Sequence, residues 1–259
     1  MKIRDTQTFK NYTPTVISVF FGVAFVELLA IRIDQPYLPR ATGVSNRLIS
    51  LLLEGQIFLD LLRSLQNLFL GFNISVISGL VIGMLCGRYK YFEQMLRPYI
   101  NAMLTTPSVI FAPVYFAIFG LARWSIVGLI VHYSVFYIIV NTTTAVQSVD
   151  RGMIEMSMVF GASERQQMRL IYLPSSLPLI FASLRVALAR SVKGMINGEL
   201  LIAVIGLGAF SSKFASVYDA EGVFAVALLV VLVAIILSGC LNMVNKRVNS
   251  WVPNIRKDD

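Results

Sequence analysis

The chain has 259 residues, of which 56% are hydrophobic and 14% charged, with a formal net charge of +8 and a mean hydropathy of +0.73. That is far more apolar than an ordinary soluble domain, so the basic excess points to residues flanking membrane spans rather than to nucleic acid. Cys86 and Cys240 both lie in apolar runs and read as packing residues, while a single histidine, His132, argues against a metal site.

In chain order, residues 1–14 are polar and basic, with Lys2, Arg4 and Lys10, and form a cytoplasmic N-terminus. The first span is expected at 15–33 and is read as retained rather than cleaved. Residues 46–63 alternate leucine and isoleucine with Arg47, Glu54, Asp60 and Arg63 at helical spacing, which predicts one helix at the membrane interface. The second span covers 65–86, where Gly79 and Gly83 suit close helix packing. Further spans are expected at 100–119, containing Pro107 and Pro113, then at 124–145, 175–204 and 223–243. Gly194, Gly198, Gly206 and Gly208 are expected to break the fifth apolar region, and the chain ends in a basic tail, 246–259.

Six spans give an all-α membrane bundle, since a helix satisfies its own backbone hydrogen bonds in hydrocarbon. Thirteen Lys and Arg residues fall on the side of the termini, the 87–98 loop and the 146–174 island, against six on the other side. The positive-inside rule then puts both termini and the island in the cytoplasm.

The island carries the most specific pattern. Asp150 is a candidate N-cap for a helix over 150–160 that bears Glu155, Gly161 is a candidate break, and 163–171 reads as a second short helix. Pro174 then forbids simple continuation and helps start the next span. The product is a stiff helix–glycine–helix elbow joined to a membrane helix.

Glu155, Gly161, Ile171, Leu173 and Pro174 at this spacing resemble the EAA loop of bacterial ABC-importer permeases. From Thr106 onward the chain is similar to the nitrate/sulfonate/taurine branch of that family. The residues that carry this are Thr106-Pro107 with Pro113, Leu184 to Leu188, Arg190, Gly198-Glu199-Leu200 and Gly206-Leu207-Gly208. A weaker match covers Ser64-Leu65 through Gly71-Phe72. Met156 and Ser157 replace the two alanines usual after the motif glutamate, and Lys193 and Asn197 stand where the branch is usually apolar.

The resemblance implies a six-helix, type I, MetI-like importer permease in the bacterial inner membrane, moving a small anionic or organic solute. It implies two ATPase subunits that bind ATP and magnesium, a second permease copy forming a homodimer or heterodimer, and an extracytoplasmic solute-binding protein. The coupling loop would comprise Glu155, Met156, Ser157, Gly161, Ala162, Ile171, Leu173 and Pro174. This chain itself has no catalytic residue, no cofactor and no G-x-x-x-x-G-K-[ST] phosphate loop. Candidate pathway or gate residues are Pro107, Arg185, Arg190, Lys193, Asn197 and Glu199, because polar and charged groups within a membrane are costly. Glu199 is expected to pair with Lys193 or to cap a broken helix. Three cations at 185, 190 and 193 would favour an anionic solute if they faced a pathway together. The competing reading is a secondary transporter or channel without an ATPase, which would more often show inverted repeats.

Overall fold

The computed structural model describes residues 4–33, 35 and 37–248. Lys2, Pro36, Arg256, Lys257 and the rest of the tail beyond residue 248 lie outside the described residues. All regular elements among the described residues are helical. They are α1 (Arg4–Ile33), α2 (Ala41–Leu53), α3 (Gln56–Arg88), α4 (Lys90–Thr105), α5 (Ala112–Phe119), α6 (Arg123–Gln147), α7 (Arg151–Val159), α8 (Glu164–Gln167), α9 (Leu173–Ile202), α10 (Gly206–Ser216) and α11 (Ala220–Val248). A 3-10 turn, Ser108–Phe111, precedes α5, and a π-helical segment, Met168–Tyr172, joins α8 to α9.

Contacts divide the chain into two compact units. One comprises Met1–Leu59 and Phe210–Val231. In it, Glu27 of α1 accepts the Thr42 hydroxyl at 2.9 Å, a polar tie between α1 and the start of α2. Arg47 on α2 pairs with Asp219 at 3.1 Å and lies over the Phe214 ring.

The other unit comprises Asp60–Ala209 and Leu232–Asp259. Its centre is α6, a helix buried on most of its circumference. On one side α6 meets α3 through a line of small residues. A Cβ at Gly71, Gly79, Gly83 or Gly87 would fall within 2.7 Å of Ile130, Ile138, Thr142 or Val146 respectively. Between the first two notches, the Ser134 hydroxyl donates to Ser75 at 2.8 Å. On another side α6 packs along α9, where Gly194 and Gly198 admit Ile130, Tyr133 and Ile126. Ile138, Ala145, Ile180, Leu184 and Ala187 fill the seam.

Four described helices are long and apolar enough to cross a membrane, and a bent pair makes a fifth, against the six expected. The third expected span, 100–119, is that pair, since α4 and the segment Ser108–Phe119 meet at 99°. Proline biases its predecessor toward extended backbone. Thr106 before Pro107 accordingly has φ −75° and ψ 131°, and α4 ends. The second limb rests on one face of α6 formed by residues 125, 128 and 132. Ser125 donates to the Tyr115 carbonyl at 3.0 Å, Gly128 leaves room for the Tyr115 ring, and His132 Nδ1 lies 3.2 Å from the Tyr115 hydroxyl.

Two further expectations are corrected. The single interfacial helix over 46–63 is split at Gly55, whose φ of +75° ends α2, so its second half opens α3. Gly194 and Gly198 do not break the fifth apolar region; they are packing notches inside an unbroken α9. The break comes at Ala203, φ +52°, and Gly206, φ +85°.

Candidate functional site

The island folds as a capped elbow. Asp150 accepts the Gly152 N–H at 3.0 Å, holding the first turn of α7. At its far end Gly161 takes φ +73°, its N–H donating to the Met158 carbonyl at 2.9 Å and that of Ala162 to Ser157 at 2.9 Å. No atom lies within 4 Å of a Cβ added at Gly161, so the turn needs glycine for its backbone conformation and not for space. Ser163 then caps α8. Its N–H donates to Gln166 Oε1 at 2.8 Å, and the Gln166 N–H returns to Ser163 Oγ at 3.4 Å. Buried Gln167 closes the corner with a bond from Nε2 to the Ala162 carbonyl.

Pro174, expected to stop the second short helix, does not. Glu164–Ile202 is one helical run of 39 residues. The π-helical turn, Met168–Tyr172, ends one residue short of Pro174, which has no N–H to offer the preceding turn. The widened turn accommodates the proline, so the elbow merges with the membrane helix as one rod.

The inner side of the elbow is packed and tied. Val146, Val149 and Tyr172 form a small core with Ile154, Met168 and Ile171 around it. Arg88 lies 5.4 Å over the Tyr172 ring, and the Tyr89 hydroxyl donates to Glu164 at 3.0 Å. The Glu164 carboxylate, accepting that bond and adding its charge, pushes the Tyr89 phenol above its ordinary pKa.

The outer side is apolar and open. Val159 is 87% exposed and Phe160 83%, and Met156 and Leu170 are exposed beside them. Met153, Met156, Phe160, Ala162, Leu170 and Ile171 line most of a cleft of about 350 Å³. These exposed apolar side chains stand in a loop that also carries Arg151, Glu155, Glu164 and Arg165. Of the coupling residues picked from sequence, Glu155 and Met156 face outward, while Ser157 is buried with its hydroxyl on the Ile154 carbonyl. The close-packed position is therefore the small Ser157, and the larger Met156 stays clear of the turn. Ala162, Ile171, Leu173 and Pro174 are half-buried along the join.

Of the polar residues of the fifth region, Arg190, Lys193 and Asn197 recur at i, i+3 and i+7 on one face of α9, and Arg185 lies off that face. Arg185 donates to Asn242 on α11, Arg190 lies 4.5 Å over the Tyr137 ring, and Lys193 is exposed. Asn197 donates to the Tyr133 hydroxyl at 2.7 Å. Pro107 is exposed at the bend. Glu199 is fully buried and takes the capping role rather than a Lys193 pair, accepting bonds from Ser64 and from the Gly208 N–H. Asp60 and Ser64, which reach the same turn, are not among the site residues picked from sequence. The signal is present: Asp60, Ser64 and Asn67 recur at helical spacing along one face of an apolar stretch.

Comparison with known proteins agrees with this architecture. Residues 79–250 match the family described as binding-protein-dependent transport system inner membrane component. The formylaminopyrimidine transport permease protein ThiX of Halalkalibacterium halodurans is 32% identical over 219 residues, covering 83% of this chain and 87% of that one. The riboflavin transport system permease protein RibX of Chloroflexus aurantiacus is 30% identical, covering 79% and 77%. Among solved structures, an inward-facing MetNI methionine ABC transporter chain shares the fold. It has a TM-score of 0.60 at 20% identity, with 77% of this chain and 97% of that chain covered. The chain therefore belongs to the binding-protein-dependent transport system inner membrane component family, as a non-catalytic, multi-pass permease subunit of an ABC-type importer that moves a small solute.

Proposed function

We propose that the α7–α8 elbow is the point at which a separate ATPase drives this permease. The observation that carries the reading is the junction of an exposed apolar surface with an unbroken helical rod. Glu155 and Gly161 set the elbow's shape, and Met156, Ser157 and Ala162 form its docking turn. Ile171, Leu173 and Pro174 join it to α9. Closing of two ATPases around bound ATP and magnesium would shift the elbows of two permease copies and tilt the helices behind them. The solute must bind the outward- and inward-open states with different affinity for the cycle to run.

Residues 15–245 form the membrane domain, and α1 supplies the sixth span at 15–33. Its exposed Phe20, Phe21, Phe25 and Leu28 suit contact with lipid. Both termini and the elbow lie in the cytoplasm, and an extracytoplasmic binding protein delivers the cargo. Pro107, Arg185, Arg190, Lys193, Asn197 and Glu199 stand near the pathway or its gate.

The cargo is a small organic solute, with a nitrogen heterocycle as its class. The names of the 32% and 30% identical relatives support this choice within the wider branch. Uptake of formylaminopyrimidine and riboflavin, measured beside nitrate and an aliphatic sulfonate in cells carrying the full system, tests the class. Uptake of nitrate alone would overturn it. A crosslink from the Phe160→Cys variant to the co-purified ATPase tests the elbow. An introduced thiol that stays uncrosslinked and solvent-facing in the assembled complex would overturn it.

A further inference from the structure

The first N–H groups of a helix have no acceptor within the helix. In α10 the first three are each taken by a side chain from another helix. Asp60 Oδ1 accepts Gly206 N–H at 3.3 Å, Ser64 Oγ accepts Leu207 N–H at 2.9 Å, and Glu199 Oε2 accepts Gly208 N–H at 3.1 Å. The Ser64 hydroxyl also donates to Glu199 Oε2 at 2.8 Å, linking two of the acceptors. Ser64 and Glu199 are both completely buried. A Cβ at Gly206 would collide with the Glu199 carboxyl carbon, and one at Gly208 would come within 2.6 Å of the Glu199 Cβ. A buried carboxylate is tolerated when hydrogen-bonded, and a helix N-terminus is where its charge is favoured.

Glu199 sits near the far end of the rod that begins at the elbow, about 50 Å away at 1.5 Å per residue. The other face of its carboxylate is unfinished. Oε1 accepts no hydrogen bond of normal geometry, although buried Asn67, one turn beyond Ser64 on α3, lies close enough to help hold the same carboxylate. A small shift of α9 would tighten or open the Asn67 approach to Oε1 together with the Ser64 and Gly208 bonds to Oε2. Two such arrangements make a bistable contact.

We propose that Asp60, Ser64 and Glu199 form a latch on the first turn of α10, set and released by movement of the α9 rod. They are positioning residues for transport, and the latch couples the elbow to α10. This rests on the elbow reading. The test uses the full complex with its ATPases and binding protein, in a Cys240→Ser background carrying Ser216→Cys on the exposed end of α10. Maleimide labelling of the thiol introduced at position 216 is compared between nucleotide-free and ATP/vanadate-trapped states, and the Phe160→Cys crosslink to the ATPase is followed in parallel. In the parent the labelling rate changes by about threefold or more between the states, as expected of a population shift. Ser64→Ala and Glu199→Ala reduce that change to less than about 1.5-fold while keeping the crosslink, and Glu199→Gln, which retains an acceptor, keeps part of it. A parent without the change, or both Ser64→Ala and Glu199→Gln with the full change, overturns the latch. Loss of the crosslink in the parent overturns the elbow reading instead. Should Glu199→Ala fail to assemble, Ser64→Ala, which removes only one oxygen, decides.

Discussion

The two ends of the α9 rod are held in opposite ways. At the inner end the caps are local: Asp150 to Gly152, Gly161 to Met158 and Ser163 to Gln166 lie within three residues, and Ala162 to Ser157 within five. At the outer end the bonds join Glu199 to Ser64, Leu207 to Ser64 and Gly206 to Asp60, across 135 to 146 residues. The caps of the inner end need no other helix, and its ties to Arg88 and Tyr89 lie on the packed side, so its outer surface can remain uncovered for a partner. The outer end exists only when three helices are assembled, so any displacement there is felt by all of them.

Substitutions should separate the ends. The largest effect is expected from Gly208→Val at the outer end, where side-chain atoms would meet Glu199 and the Leu200 backbone. Overpacking of this severity costs about 3 kcal/mol or more, and thermal unfolding of the detergent-solubilised permease should register it as loss of the folded fraction. Next comes Glu199→Leu, which strands the buried Ser64 hydroxyl and the Gly208 N–H at roughly 1–3 kcal/mol for each group, read in the same assay. Gly161→Ala at the inner end should cost about 1–2 kcal/mol, because an L-residue is forced left-handed. It should weaken ATPase association more than it lowers the unfolding temperature, whereas equal losses in both would erase the contrast between the ends. Ser163→Ala removes one cap at about 1 kcal/mol, and its effect on ATPase association should be smaller than that of Gly161→Ala.

The smallest expected effect is at Tyr89. Its phenol is raised above 10.0 by the Glu164 carboxylate, so the bond contributes while the phenol is protonated. The contribution is present below the unfolded-state pKa and is lost as pH rises through the higher folded value. Tyr89→Phe should remove that alkaline component of stability and leave neutral-pH transport intact, as paired unfolding curves at neutral and alkaline pH would reveal.

The same contrast explains what the amino-acid sequence discloses. The Asp150 cap, the Gly161 turn and the placement of the elbow before the fifth apolar region are legible because each depends on neighbours a few residues away. Ser163-Glu-Arg-Gln166 is also a legible capping box, though the same four residues pass equally well for plain helix. The Gly79 and Gly83 notches follow from their spacing. The partners of Glu199 do not follow from any window, because Asp60 and Ser64 sit in or beside what reads as an interfacial helix. The continuity of α8 into α9 is hidden for another reason: a proline signals a stop unless a wider turn precedes it, and nothing in the residue order announces that turn. Arg185 and Arg190 read as a cationic group by proximity in the chain, but their helix positions face different neighbours, Asn242 for one and Tyr137 for the other.

The seam between α3 and α6 has a constant offset of 59 positions, pairing 71 with 130, 75 with 134, 79 with 138, 83 with 142 and 87 with 146. Branched side chains seated in glycine recesses along its length act like teeth in a rack, and sliding by less than a whole helical turn would drive each tooth into backbone. The two helices can therefore serve as a fixed yardstick. Spectroscopic labels placed on them should keep one separation throughout a transport cycle, against which the excursions of every other segment can be measured.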